Sequence, residues 1–248
     1  MTKLSAGIII IGDEILSGRT QDTNSNFIAN HLIKSGIQLT QITVIQDLED
    51  IIIKKVIEYS NEYTYVFTTG GIGPTHDDIT SQSIAKAFNR EYSFHPEAFK
   101  ILKNYYPEGQ FNEGRQRMAK MPSGVELIHN PVTVAPGFKI ENVFVLPGVP
   151  EIMKKMFLNV LENIEKGEPK KTITINTNLY ESTISLLLND IQNKFSKCSI
   201  GSYPFFNFVS KKAGVNIVIS SWTMDSLDEV VNDIENMIRL KGGKSSIV

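Results

Sequence analysis

A single cysteine, Cys198, stands in 248 residues. It leaves no partner for an internal disulfide and no thiolate cluster for a metal, which fits a reducing compartment. The four histidines, His31, His76, His95 and His129, show no short metal-ligand spacing, and no zinc pattern, Walker motif or nucleophile elbow is visible. Long apolar runs are missing as well. The run after Lys3 is cut short at Gly12, Asp13 and Glu14, too short for a signal-peptide core or a membrane span. Charge of one sign is scarce: 25 Lys plus Arg stand against 27 Asp plus Glu, a net charge of −2. That balance offers no global positive field for nucleic acid or anionic lipid. With 17 Gly and 10 Pro, composition excludes collagen-like and disordered chains. These absences predict a cytoplasmic protein with no membrane and no nucleic-acid partner.

What is present is a rhythm of strands and helices. Gly7-Ile8-Ile9-Ile10-Ile11-Gly12 is β-branched, apolar and without alternation, as in a parallel strand covered on both faces. After a loop over Asp13–Asp22, residues Asn24 to Ser35 carry Phe27, Ile28, His31 and Leu32 at helical spacing, and Gly36 is a C-cap. Strand Ile37–Ile45, helix Leu48–Tyr59 and strand Tyr65–Thr69 continue the β-α-β-α-β order, which argues for helices on a mostly parallel sheet. Helices are predicted at Thr80–Phe88, Pro96–Tyr106 and Asn112–Lys120. A buried strand follows at Asn142–Leu146, then a helix from Glu151 to Glu165. Gly167-Glu168-Pro169-Lys170-Lys171 is the domain boundary, giving domains 1–167 and 168–248. The second reads as strand Thr172–Thr177, helix Ser182–Phe195, strands Ser199–Tyr203 and Val215–Trp222, and helix Leu227–Leu240. Ser210–Gly214 is read as a hairpin turn with solvated lysines, and the tail Gly242–Ser246 as frayed.

The segment that carries most chemistry is Thr69-Gly70-Gly71-Ile72-Gly73-Pro74-Thr75-His76-Asp77-Asp78-Ile79-Thr80, between a buried strand and a helix. Glycines there let backbone N–H groups approach an anion, and the helix start adds its positive dipole end. Thr75 and Thr80 supply hydroxyl donors to phosphate. Asp77 and Asp78 repel a bare phosphate, so they either cap the helix or hold a hard cation bridging to it. Gly12-Asp13-Glu14 follows the first strand, and in a doubly wound sheet it faces the same crevice. Its carboxylates suit a cation or a sugar hydroxyl, or a solvated turn. Asp22-Thr23-Asn24 is first a helix N-cap, and Asp47 sits at the crevice edge. Pro147-Gly148-Val149-Pro150 is either a rigid turn or a ligand wall. Asn130-Pro131 and Ala135-Pro136-Gly137 are turn chemistry. His31 is expected in the core and His76 on a surface loop.

Taken together, these stretches resemble the CinA (competence/damage-inducible) family within the wider MoaB/Mog molybdopterin-binding superfamily. The matching stretches are Ile11–Gly18 with Asp22–Asn24, Thr69–Thr80, Asn130-Pro131 with Ala135–Phe138, and Leu146–Pro150. The likeness runs from about residue 4 to 165. Ile200–Pro204 resembles the small KH-like domain that follows in CinA proteins. The resemblance implies a three-layer α/β/α domain, then a small α+β domain, and a crevice for a phosphorylated nucleotide or pterin. Relatives either bind molybdopterin or hydrolyse the diphosphate of ADP-ribose or FAD. Carried over, the acidic pair falls on Asp47 and Asp78, and phosphate on Gly70, Gly71, Gly73 and Thr75. Three departures stand out. The amidohydrolase region of full-length CinA is not in these 248 residues, so nicotinamide-mononucleotide deamidation is not expected. The glycine common in the Val132-Thr133-Val134 loop is missing, and so is a Gly-x-x-Gly clamp for RNA.

The resulting expectation is a nucleotide pyrophosphatase using Mg²⁺ or another divalent cation, with a non-catalytic molybdopterin-binding protein as the alternative. Asp78, Asp77 and Glu14 are the expected catalytic and metal residues. Gly70, Gly71, Gly73, Pro74, Thr75, Thr80, Asp47, Asn24, Pro147 and Gly148 are the expected ligand contacts. A homo-oligomer is expected, a dimer by preference.

Overall fold

The computed structural model describes residues 4–207, 212–224 and 226–248. It divides into two compact units, Met1–Gly167 and Glu168–Val248. Chain order in the first is β1 (Ser5–Ile11), α1 (Asp13–Leu16), α2 (Asn24–Lys34), β2 (Gln38–Ile45), α3 (Glu49–Glu62), β3 (Tyr65–Thr69), α4 (Thr80–Ala87), β4 (Tyr92–Phe94), α5 (Pro96–Tyr105), α6 (Glu113–Arg117), β5 (Lys120–Pro122), β6 (Glu126–Ile128), β7 (Gly137–Ile140), β8 (Val143–Leu146) and α7 (Pro150–Glu162).

The main sheet has the order β2-β1-β3-β8-β7-β6. β2, β1, β3 and β8 pair in parallel, and β7 alone runs the other way, antiparallel to both β8 and β6, so the sheet is mostly parallel. β1 lies inside the sheet, between β2 and β3, because its isoleucines can be buried on both sides. Ile9 and Ile11 pack with Ile52, Val56 and Tyr59 of α3, Ile84 of α4 and Leu102 of α5. Ile8 and Ile10 pack with Ile28 and Leu32 of α2 and with Met153, Met156 and Phe157 of α7. Two apolar layers thus sandwich the sheet, and each fully buried side chain contributes roughly 1.5–3 kcal/mol.

The second unit runs β9 (Lys171–Thr177), α8 (Glu181–Lys194), β10 (Ser199–Asn207), β11 (Lys212–Ser221), α9 (Asp228–Leu240) and β12 (Ser245–Ile247). Its sheet has the order β10-β11-β9-β12, every pair antiparallel. Ile175, Ile217 and Ile219 meet Ile184 and Leu188 of α8 and Val230, Ile234 and Ile238 of α9.

Several expectations need correction. The frayed tail is instead paired: Ser245, Ser246 and Ile247 register with Thr177, Asn176 and Ile175, since β9 would otherwise present an open edge. Asp13–Leu16 forms one helical turn rather than loop. The helix over Asn112–Lys120 ends at Arg117, because Lys120–Pro122 pairs with Tyr92–Phe94 in a small two-stranded sheet. Of the Ser210–Gly214 turn, residues 210 and 211 lie outside the described residues, and Lys212 to Gly214 are strand, the start of β11.

Candidate functional site

In the first unit the chain runs from β1 through α2 to β2 on one side, then crosses back through α3 to β3 on the other side of β1, and continues outward to β8. The crevice beyond the carboxyl ends of β1 and β3 is therefore the topological switch point, where ligands bind in open α/β sheets. Three loops converge there. Gly70 takes φ 105, and a Cβ at that position would overlap the Ile11 carbonyl oxygen. A Cβ on Gly148 would stand 3.4 Å from the Gly70 Cα. At Gly70 only glycine lets the backbones after β1 and β3 come this close, and Gly148 of the loop after β8 packs beside it.

The Gly70 N–H donates to the Leu146 carbonyl at 3.1 Å, so Gly70 shapes the loop and does not offer a donor. Next come three consecutive amides, Gly71, Ile72 and Gly73, whose N–H groups have no hydrogen-bond partner among the described residues. Gly71 has φ 68. Successive unpaired amides on a glycine-rich turn form a concavity for an oxyanion. Thr80 closes the loop from below. Its N–H donates to the Gly71 carbonyl at 3.0 Å, and its buried hydroxyl, just where a Gly71 Cβ would go, has no partner among the described residues.

Of the two roles open to the loop's acids, capping α4 is not the one they take. Asp78 Oδ2 accepts the Thr75 N–H at 2.8 Å and the Thr75 hydroxyl at 2.5 Å. The N-cap of α4 is Ile79, without a side-chain cap, so neither Asp77 nor Asp78 caps that helix. Asp78 instead ties the loop to itself and keeps its second oxygen. The Thr75 hydroxyl, which also reaches Asp77, holds the Asp77 carboxyl below the usual carboxylate range, helped by its own backbone N–H, His76 and Arg117. His76 is 97% exposed in its side chain. His31 is half-buried and packs on Phe27 and Phe157.

Asp47, after β2, accepts the Asp13 N–H at 2.9 Å. Burial raises its pKa, and the nearby carboxylates of Asp13, Glu14 and Asp77 push the same way, against the lowering effect of that hydrogen bond. The field of four acids thus joins the loops after β1, β2 and β3. Glu14 folds back over Gly12, its carboxylate 2.7 Å from the place of a Gly12 Cβ. Glu14 also lines a narrow cleft with Asp22, Asn24, Thr69 and Gly148. Asn24 is 7% exposed. Its Nδ2 donates to the Gly148 carbonyl at 2.8 Å, while its Oδ1 and the Thr69 hydroxyl are buried without partners among the described residues. Asp22-Thr23-Asn24 does open α2: Thr23 is the N-cap, without a side-chain bond, and Asp22 Oδ1, one residue earlier, accepts the N–H groups of Asn24 and Ser25.

The structure therefore brings Glu14, Asn24, Asp47, Gly70, Gly71 and Gly148 to one crevice. Pro74 stands apart, on the wall of a separate cavity with Arg117 and Lys120. Pro147 is half-buried in the third loop. Residue types alone did not single out Thr69 or Arg117; the basic cluster Arg115, Arg117 and Lys120 was the available signal for the latter. A divalent cation is tested by the donor set. Among the described residues no three His, Cys, Asp or Glu side chains group closely enough to hold a metal by themselves. The hard oxygens of Asp47, Asp77, Asp78 and Glu14 suit instead an ion such as Mg²⁺, which takes one or two carboxylates and completes its shell with waters and phosphate.

Residues 7–166 match the family model described as "Probable molybdopterin binding domain". Residues 170–242 match "FAD synthase, middle domain". A protein of Archaeoglobus fulgidus is 35% identical over 227 residues, covering 91% of this chain and 97% of its own. A "Probable FAD synthase" of Caenorhabditis elegans is 30% identical over 94% of this chain. The chain spans 50% of that relative's length. The crystal structure of CinA, of unknown function, from Thermoplasma acidophilum superposes with a TM-score of 0.60 at 34% identity, covering 64% of this chain and 96% of that one. No helix among the described residues is long and apolar enough to cross a membrane.

Proposed function

This chain belongs to the molybdopterin binding domain family, with CinA-like relatives, and from that premise we propose that its crevice binds a nucleotide diphosphate and hydrolyses it. The substrate class is ADP-ribose, FAD or a similar dinucleotide. The observation that carries this reading is the run of amides at Gly71, Ile72 and Gly73 at the switch point, without partners among the described residues, together with Asp47 and the three acids that act on it. The amides grip one phosphate. Asp78, Asp77 and Glu14 are the carboxylates that would meet a cation bound to the second, one or two of them at a time with waters completing its shell. A divalent cation held there would neutralise charge developing on the diphosphate oxygens and orient a water for in-line attack. Asp78 also keeps the loop in its anion-ready shape through Thr75, and Asn24 holds the Gly148 loop in place. The FAD synthase middle-domain match and the FAD synthase relative support a nucleotide with a diphosphate over a bare pterin.

The test is incubation of purified protein with ADP-ribose or FAD and Mg²⁺, with AMP as the product followed. Wild-type protein is expected to release AMP. In Asp78→Asn turnover is expected to fall by at least about 100-fold, with a smaller loss of AMP affinity. Retention of ligand without AMP release, over a panel of divalent metals, would leave the chain a molybdopterin-type binding protein.

A further inference from the structure

A cavity of about 600 Å³ borders the glycine-rich loop at Pro74 and is walled by Tyr92, Phe94, Arg117 and Lys120. It is a built feature of the fold. The β4–β5 ribbon supplies Tyr92, Phe94 and Lys120, and α6 supplies Arg117. Gly114 of α6 stands against the Pro74 carbonyl, which a Cβ there would approach to 3.3 Å. Ribbon, helix and loop are thus packed as one wall.

Its chemistry is cationic. Arg117 and Lys120 are both half-buried, and neither forms an ion pair among the described residues. The Lys120 ammonium rests 4.8 Å from the centre of the Phe94 ring. Arg117 interacts with the Tyr92 phenol, and its charge is felt by Asp77 in the loop. One carboxylate, Glu113, shares the lining, so one positive charge is left over. Two half-buried cations facing one space repel each other, and an anion between them relieves that cost. A guanidinium fork beside an ammonium matches a phosphate monoester better than a carboxylate, since it can serve several oxygens at once.

We infer that this cavity is a second anion subsite, in which Arg117 and Lys120 bind a phosphate monoester carried by the same nucleotide whose first phosphate lies on the Gly71–Gly73 amides. This rests on the nucleotide reading of the crevice and narrows it. The preferred ligands are adenine nucleotides with a further phosphate on the ribose, at the 2′ or the 3′ position.

The experiment is calorimetric titration of the full chain with AMP, adenosine 2′,5′-bisphosphate and adenosine 3′,5′-bisphosphate. One bisphosphate is expected to bind at least tenfold more tightly than AMP, and which one identifies the position read. In Arg117→Gln and in Lys120→Gln the ratio of the two affinities is expected to fall toward one. A merely structural role would weaken AMP and bisphosphate in proportion and leave the ratio intact. Lys120→Gln, on the rim of the ribbon, serves if Arg117→Gln does not fold. Equal binding of AMP and both bisphosphates, or a ratio preserved in the folded variants, overturns the subsite alone. Failure of all three nucleotides to bind overturns the nucleotide reading of the crevice together with it.

Discussion

Asp47 is an acid that the folded chain keeps at a disadvantage. Burial and the carboxylates of Asp13, Glu14 and Asp77 raise its pKa from 3.8, so the folded state holds this proton more tightly than the unfolded chain. The sign follows from proton linkage: stability falls as pH rises from 3.8 through the raised value, and the penalty is fully present above it. Asp47→Asn keeps an oxygen for the Asp13 N–H and removes the charge. It is expected to melt at a higher temperature than the wild type at pH 7, with the gap closing below about pH 4. Melting curves across pH check this, and a gap of equal size at every pH would contradict it. Residue identity alone could place Asp47 at the crevice edge, but not the three acids that act on it, since those come from loops after three different strands. Val134 is the opposite case. Where a glycine is missing from the Val132–Val134 loop, Val134 adopts φ 58, a strain of order 1–3 kcal/mol. The loop tolerates it because buried Asn130 bonds to Val132, Thr133 and Ala135 at once.

At the scale of elements, the parallel strands and their helices were legible because burial on both faces writes an uninterrupted apolar run, as in Ile8–Ile11. Short elements were not. β5 and β12 have three residues each, too few for a period to show. They exist because a neighbour offers unpaired backbone, Tyr92–Phe94 to one and β9 to the other. The β7–β8 connection shows how tightly a turn is drawn: Ile140 registers with Val143, leaving Glu141 and Asn142 as the whole turn. Glu141 is exposed and sits at φ 51, the first central position that glycine fills in this kind of hairpin. Glu141→Gly is expected to stabilise the first unit by about 0.5–1 kcal/mol. The measurement is the denaturation midpoint, with an unchanged denaturant slope. No gain, or a loss, would mean that Glu141 makes up for its backbone cost elsewhere.

For the whole molecule, the decisive feature is that the cores do not mix. The two clusters that sandwich the main sheet draw all their residues from before Gly167, and the third draws all of its residues from after Glu168. Each unit therefore has the buried apolar surface to fold by itself. Residues 1–167 and 168–248, produced separately, are each expected to unfold cooperatively, and AMP is expected to raise the melting temperature of the first alone. A first unit that stays unfolded without the second would refute this. The strand-and-helix order, the polar break near Gly167 and the glycine-rich loop can be read along the chain, because each is written in local periodicity or backbone freedom. Which amides lack partners, that Asp78 bonds Thr75 and does not cap α4, and that Arg117 and Lys120 share a cavity beside Pro74 emerge on folding. Those facts depend on which chain segments meet across the sheet, and distance through space has no signature in a neighbouring residue.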